Sequence, residues 1–296
     1  MAGHRRPPVE PREVVVEPPR FDGDGAVAWI DGTTGKALSM DDVVARLRSQ
    51  PVSVIGEQHD QASHHEVQRR LVEVLAADGG LVVGLEMLTR EHQPVLERFN
   101  RGEITIEELG ETVDWKKAWG FDLELYAPIL RDGHNAGARF VALNAPRSLV
   151  KAIRQGGLER LSPDQKAQLP DMDLGDTLHR AWFEAVFAQS GHALSESDLD
   201  AFYRAQVLWD ETMAEGAVAA LQGSKRVVVL AGVGHIAMGR GIPERVERRL
   251  WGARALSVVP LGGVDASNFE ARVKEAIQDG EGDILAVPRF ENEIAL

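Results

Sequence analysis

The 296-residue sequence contains no cysteine, which excludes disulfides, thiolate metal sites, iron–sulfur clusters and a cysteine nucleophile. A lipid anchor on an N-terminal cysteine is not expected for the chain as given. No apolar stretch reaches 18 residues, so no transmembrane segment is expected. The beginning of the chain, with Arg5-Arg6-Pro7-Pro8 and prolines at 11, 18 and 19, has no continuous apolar run of the signal-peptide kind. A soluble protein is expected: cytoplasmic, or periplasmic or membrane-associated if a native signal has been removed. Positive charge is in deficit, with 33 basic against 46 acidic residues and a formal net charge of -13. Such a surface repels phosphate backbones and anionic headgroups, so nucleic acid is not an expected partner. There is no G-x-S-x-G elbow, no H-E-x-x-H helix and no complete G-x-G-x-x-G fingerprint, which takes most of the weight from serine hydrolase, zincin and Rossmann dehydrogenase readings.

What is present is an ordinary globular composition, 44% hydrophobic and 27% charged, in an alternating order of elements. Residues 1–23 read as an extended or disordered arm and 24–296 as a single α/β domain. Ala26 to Ile30 and Ala37 to Ser39, on either side of Asp31-Gly32-Thr33-Thr34-Gly35-Lys36, suggest a hairpin. Val52 to Gly56 is a β-rich run, and Asp60 to Ala77 has helical periodicity, with Ser63-His64-His65-Glu66 fitting a capping box near its start. Strands are expected at Leu81 to Met87, Arg139 to Ala145, Arg226 to Gly232 and Ala255 to Leu261, with an edge strand at Asp283 to Phe290. Helices cover about 90–136, and another begins near Pro243. About 146–222 reads as wholly helical, an inserted lid. The fold class is therefore α/β, a mainly parallel sheet flanked by helices.

Polar residues collect where strands end. Glu57 and His59 follow the first parallel strand, Glu86 lies near the end of the second, and His235 follows Arg226 to Gly232. Ligands of open α/β sheets bind beyond the carboxyl ends of the strands, so these four residues are expected to converge. One histidine after a strand is commonly structural. Two, each three residues after a glycine (Gly56 and Gly232) and accompanied by glutamates at the same edge, favour a shared site. Imidazole and carboxylate suit a divalent ion such as zinc or manganese, with His59, Glu86 and His235 as ligands. Without metal, the same groups serve as general bases acting on water. The tandem His64 and His65 offer at most one further ligand, because adjacent helical residues point about 100° apart. Asn144 and Arg147 flank Pro146 at the same edge, as substrate contacts or as a helix cap. Tyr203, Gln206, Asp210 and Met213 follow helical spacing on a largely apolar side. Burial of Asp210 requires a partner, with Arg147 or Arg204 the expected one.

The sequence resembles the ChaN-like haem-binding uptake family, within the wider group that contains Tiki, TraB and the erythromycin esterases. The resemblance is carried by Ile55-Gly56-Glu57-Gln58-His59-Asp60, Gly84-Leu85-Glu86-Met87, Asn144-Ala145-Pro146-Arg147, Ala205-Gln206 with Asp210-Glu211-Thr212-Met213-Ala214, and Ala231-Gly232-Val233-Gly234-His235 with Gly241-Ile242-Pro243. It implies haem as cofactor and a role in iron uptake or handling, often as a bacterial lipoprotein, a pattern from which this cysteine-free chain departs. The Tiki branch implies metal-dependent peptide hydrolysis instead, and the erythromycin esterases imply ester hydrolysis with Glu and His. In either case Glu57 or Glu86 activates water while His59 and His235 hold metal or substrate. The partner is thus haem or a small-molecule or peptide substrate, with a homodimer also open. Haem needs an axial His or Tyr beside an apolar slot. Tyr203, His179 and His192 are the candidates in the helical block, with Asn144, Arg147 and Asp210 as further contacts.

Overall fold

A computed structural model describes residues 14–189 and 195–289. Eight strands form one sheet: β1 (Val27–Asp31), β2 (Ala37–Leu38), β3 (Val52–Glu57), β4 (Leu81–Thr89), β5 (Arg139–Asn144), β6 (Arg226–Gly232), β7 (Ala255–Pro260) and β8 (Ile284–Pro288), in the order β2-β1-β8-β7-β3-β6-β4-β5. The pairs β3/β6, β3/β7, β4/β6, β4/β5 and β7/β8 are parallel, and the β1–β2 hairpin and the β1/β8 pair are antiparallel. The helices are α1 (Met40–Arg48), α2 (Ala62–Ala76), α3 (Gln93–Asn100), α4 (Ile106–Thr112), α5 (Trp115–Ala118), α6 (Ala127–Asn135), α7 (Arg147–Gly156), α8 (Pro163–Lys166), α9 (Thr177–Gln189), α10 (Glu196–Ala220), α11 (Ile242–Arg249) and α12 (Phe269–Gln278).

Burial explains the near-continuous apolar strands. β3 and β4 are buried at every position, as a sheet covered on both faces demands. Because side chains alternate along a strand, Ile55, Val83, Leu85 and Leu230 meet α2 and α6 on one face. Val54, Val82, Val229 and Ala231 meet α10, α11 and α12 on the other.

Two expectations are corrected. The strand expected at the edge from Asp283 onward is interior: β8 lies between β7 and β1, because the N-terminal hairpin pairs along its free side. Ser63 does not cap α2. The helix starts at Ala62 after Gln61, without a side-chain cap, and Glu66 turns to Arg69 and Arg70 instead. Capping boxes form elsewhere, at Ser39/Asp42, Thr105/Glu108 and Ser162/Gln165. Within the expected arm, residues 14–20 run without regular structure, Val14 and Val16 rest on the core, and the Glu17 N–H donates to the Gly35 carbonyl at 3.0 Å. Residues 1–13 lie outside the described residues.

The strand β4 is pinned against β5 by side-chain contact as well as by its ladder. A Cβ placed on Gly84 would lie 2.3 Å from Leu143 Cδ1 and 2.9 Å from its Cγ, so the buried Leu143 would have to shift to admit it. Gly84→Ala is expected to cost about 1–3 kcal/mol by overpacking, seen as a lower urea midpoint with an unchanged denaturant slope.

Candidate functional site

The carboxyl ends of β3, β6, β4 and β5 stand side by side in the sheet, and they open on a cavity of about 780 Å³. His59, Glu86, Asn144 and His235 line it, so four of the expected residues come together from four successive strand ends. The volume falls within the roughly 300–1,000 Å³ of small-molecule and cofactor sites.

Glu57 does not reach the cavity. It is the last residue of β3, shares the α2/α6 face with Ile55, and is 1% exposed. Its Oε1 accepts the Tyr126 hydroxyl at 2.7 Å and contacts His59 Nδ1 at 2.8 Å. His65 Nδ1 faces Oε2 at 3.2 Å. Burial alone would raise this carboxyl's pKa, but the contacts from His59, His65 and Tyr126 outweigh it and hold the pKa at about 2. Glu57 is therefore a carboxylate seated behind His59, and an ionised, occluded group of this kind orients an imidazole rather than activating water. Burial lowers the pKa of His59 itself, and the hydrogen bond with Glu57 and the charge of Glu86 raise it by more. Trp119 stands edge-on to the His59 ring at 4.7 Å, Phe121 lies at 5.0 Å, and the Trp119 indole N–H donates to the Tyr126 hydroxyl at 2.9 Å.

His64 and His65 serve the same turn. His64 Nδ1 accepts the Gln58 N–H at 3.0 Å, and burial drops its pKa to about 4. His65 Nε2 donates to the His59 carbonyl at 3.2 Å. Both rings are buried and hold the strand-to-helix link from beneath. Gly232 completes the seat, because a Cβ there would lie 2.7 Å from His59 Cε1.

On the other face of the sheet, Glu86 is carried by the irregular end of β4, where the register with β5 shifts between Leu85 and Thr89. Asn144 steadies this end by donating from Nδ2 to the Glu86 carbonyl at 2.8 Å. Glu86 Oε2 accepts the Gly232 N–H at 2.6 Å, and Oε1 lies 3.1 Å from His235 Nε2. His235 Nδ1 contacts Asp210 Oδ1 at 2.6 Å, with the Gln206 side chain at 3.0 Å. The imidazole is thus held between two carboxylates. Burial opposes its charge, yet Glu86 and Asp210 prevail and push its pKa up to about 10.

The expected partner of Asp210 is corrected. Neither Arg147 nor Arg204 meets it: besides His235, Arg245 Nη1 and His179 Nε2 lie 3.8 and 3.6 Å from Oδ2. Arg147 instead donates to the Ala118 carbonyl. Tyr203 is 2% exposed, donates to the Asp176 carbonyl at 3.2 Å and packs on Phe183. It does not line the cavity, and neither does His179, which is fully buried beside it. His192 lies outside the described residues.

The three expected metal ligands do not form one donor set. Both Glu86 oxygens and both His235 nitrogens are engaged as above, and no group of three or more His, Asp or Glu side chains is gathered for a metal among the described residues. Sequence reasoning also passed over Tyr126, Trp119, Phe121 and Trp209. The signal was the clustering of Trp115, Trp119, Phe121 and Tyr126 in a chain with only 6% aromatics.

An open, mainly parallel sheet with imidazoles and carboxylates around a cavity at its carboxyl edge defines an α/β protein whose candidate site lies where such sheets place one. The family model described as haem-binding uptake, Tiki superfamily, ChaN, matches residues 43–246, and the chain belongs to this family. Among solved structures, ChaN of Campylobacter jejuni, described as showing cofacial haem binding, superposes with a TM-score of 0.71 at 20% identity, over 92% of this chain and 100% of that one. The type III effector HopBA1 gives 0.44 at 13% identity, over 83% and 91%. An erythromycin esterase mutant gives 0.42 at 12%, over 78% and 76%. At these identities the likeness to ChaN of C. jejuni is one of fold. A search of curated proteins finds no match.

The charge on His235 makes stability depend on alkaline pH. A folded-state pKa of about 10 against an ordinary 6.5 means that the contribution is complete below pH 6.5 and is lost as pH rises towards 10. The urea midpoint is expected to fall steadily between pH 6.5 and 9.5. A flat profile over that window would contradict an imidazolium clamped by Glu86 and Asp210.

Proposed function

We propose that this protein binds haem in the cavity at the carboxyl edge of its sheet, where His59 would hold the iron, and acts in iron uptake or handling. The observation that carries the reading is the setting of His59. Its Nδ1 is tied to the buried Glu57, while Nε2 has no hydrogen-bond partner among the described residues, on a ring that is 31% exposed and lines the cavity. A carboxylate on the far nitrogen fixes the tautomer and raises the basicity of a ligating imidazole. Trp119, Phe121, Phe202, Trp209 and Val150 supply apolar wall, as a haem slot requires. His235 is a poor ligand by comparison, since both its nitrogens face carboxylates. Bound haem would bring iron coordination and redox chemistry; the residues of the chain orient the ligand nitrogen and shield the ring from water. Membership of a haem-binding family supports the same reading.

A second reading, hydrolysis of an ester or amide, rests on the Glu57–His59 contact, which is also the pairing of a general base with its orienting carboxylate. In that role His59 Nε2 takes the proton of a water molecule, and the His235 imidazolium in the same cavity stabilises developing negative charge.

Hemin titration separates the two. Wild type is expected to shift the Soret band saturably, and His59→Ala to lose the ligand-dependent shift and bind at least tenfold more weakly. If hemin leaves the spectrum unchanged while the wild type, and not His59→Ala, cleaves p-nitrophenyl esters, the second reading replaces the first.

A further inference from the structure

The chain is strongly acidic, with a net charge of -13, yet one wall of the cavity is basic. Arg147, Lys151 and Arg154 line it together. They lie at positions i, i+4 and i+7 of α7, within about 60° of one another around the helix and about 6 and 10 Å apart along its axis. The helix buries Leu149 and Ile153 against α10 on its other side, so the three cations are committed to the cavity side.

Several arginines elsewhere in the described residues are matched by acids. Arg69 and Arg70 meet Glu66, and Arg248 and Arg249 meet Glu211. None of the three α7 cations has an ion pair among the described residues. Arg147 spends one nitrogen on the Ala118 carbonyl, and Arg154 lies over the Phe202 ring at 4.0 Å, which pre-orients its guanidinium without neutralising it. The acids that line the same cavity are otherwise occupied. Asp198 accepts the Ser195 hydroxyl at 2.6 Å at the start of α10, and Glu86 is held by Gly232 and His235.

We propose that the α7 wall is an acid-recognition site that selects an apolar ligand bearing two carboxylates along one edge, which pair with Arg147, Lys151 and Arg154 while the aromatic walls take its apolar body. The span of about 10 Å accommodates two separate anionic groups, where one carboxylate would use a single guanidinium. This rests on the cavity assigned above, but not on His59 or on iron.

Metal-free protoporphyrin IX and its dimethyl ester therefore make the test, because they share one ring and differ only in the two carboxylates. Trp119 and Trp209 line the cavity, so quenching of intrinsic fluorescence in the full chain reports binding. The diacid is expected to bind at least tenfold more tightly than the diester, with an advantage that shrinks as salt rises. The variant Arg147→Gln/Lys151→Gln/Arg154→Gln is expected to lose that preference. All three residues are exposed, so circular dichroism should match the wild type. His59→Ala is expected to keep the preference. Equal binding of acid and ester, a triple variant that still prefers the acid, or no binding of either porphyrin would overturn the proposal. Loss of the hemin Soret response with the acid preference intact would instead remove the axial role of His59 and leave the α7 site standing.

Discussion

Placing carboxylates at the ends of buried strands is the constraint on which the rest of this site depends. Glu57, Glu86 and Asp210 are 1%, 5% and 0% exposed. An unpaired buried carboxylate costs several kcal/mol, so each of these has to be satisfied by a donor within reach. The sheet sends Glu57 to one face and Glu86 to the other, and so two separate sets of donors are required. On the α2/α6 face they are His59, His65 and the Tyr126 hydroxyl. Across the sheet they are the Gly232 N–H and His235. The tandem histidines of α2, the aromatic cluster around Trp119 and the irregular end of β4 all follow from that need.

The same constraint makes the two histidines unequal, although each stands three residues after a strand-ending glycine. His59 meets one carboxylate, behind it, and keeps its other nitrogen for the cavity. His235 meets two and is held as a cation. Similar local sequences therefore give a donor atom at one position and a fixed positive charge at the other. The difference lies at Nε2: both rings meet a carboxylate at Nδ1, Glu57 for His59 and Asp210 for His235, but only His235 meets a second one, Glu86, at Nε2.

Much of this was legible in the sequence, and the limits are physical. The strand-end rule brought Glu86, His59, Asn144 and His235 to one edge because parallel strands separated by helices leave little choice of where their ends lie. The hairpin and the strands were readable from their apolar runs and turn residues. Partner choice was not: Asp210 meets Arg245 of α11 rather than Arg147 or Arg204, because the pairing depends on how α10 packs against α11. Tyr203 has the spacing of a site residue, yet it points into the packing between α9 and α10 with Phe183 and His179. Periodicity locates a buried stripe without saying which stretch of it faces a cavity. Ser63 failed as a cap because the helix begins two residues earlier than that cap requires, with Gln61 in the cap position. The α7 stripe was written in the spacing of Arg147, Lys151 and Arg154, but an i, i+4, i+7 row of cations is the common pattern of a solvated face until a cavity is found in front of it.

The helical segment expected as a lid is bound into the core at its far end. α10 has 25 residues, about 37 Å of continuous helix. Ala201 and Phe202 line the cavity near its start, Gln206 and Asp210 hold His235 along its middle, and Met213, Ala214 and Ala217 pack on the sheet. A displacement of its first turns would have to bend the helix or drag Asp210 away from His235, breaking the 2.6 Å contact at His235 Nδ1. The α10 wall is thus fixed by the same ion contacts that organise the strand ends, and α7 rests on it through Leu149 and Ile153. A cavity with walls set in advance loses little ordering entropy when it is filled. Selectivity then falls to the shape and charge of the walls, and among these the basic face of α7 is the most distinctive feature of an otherwise acidic protein.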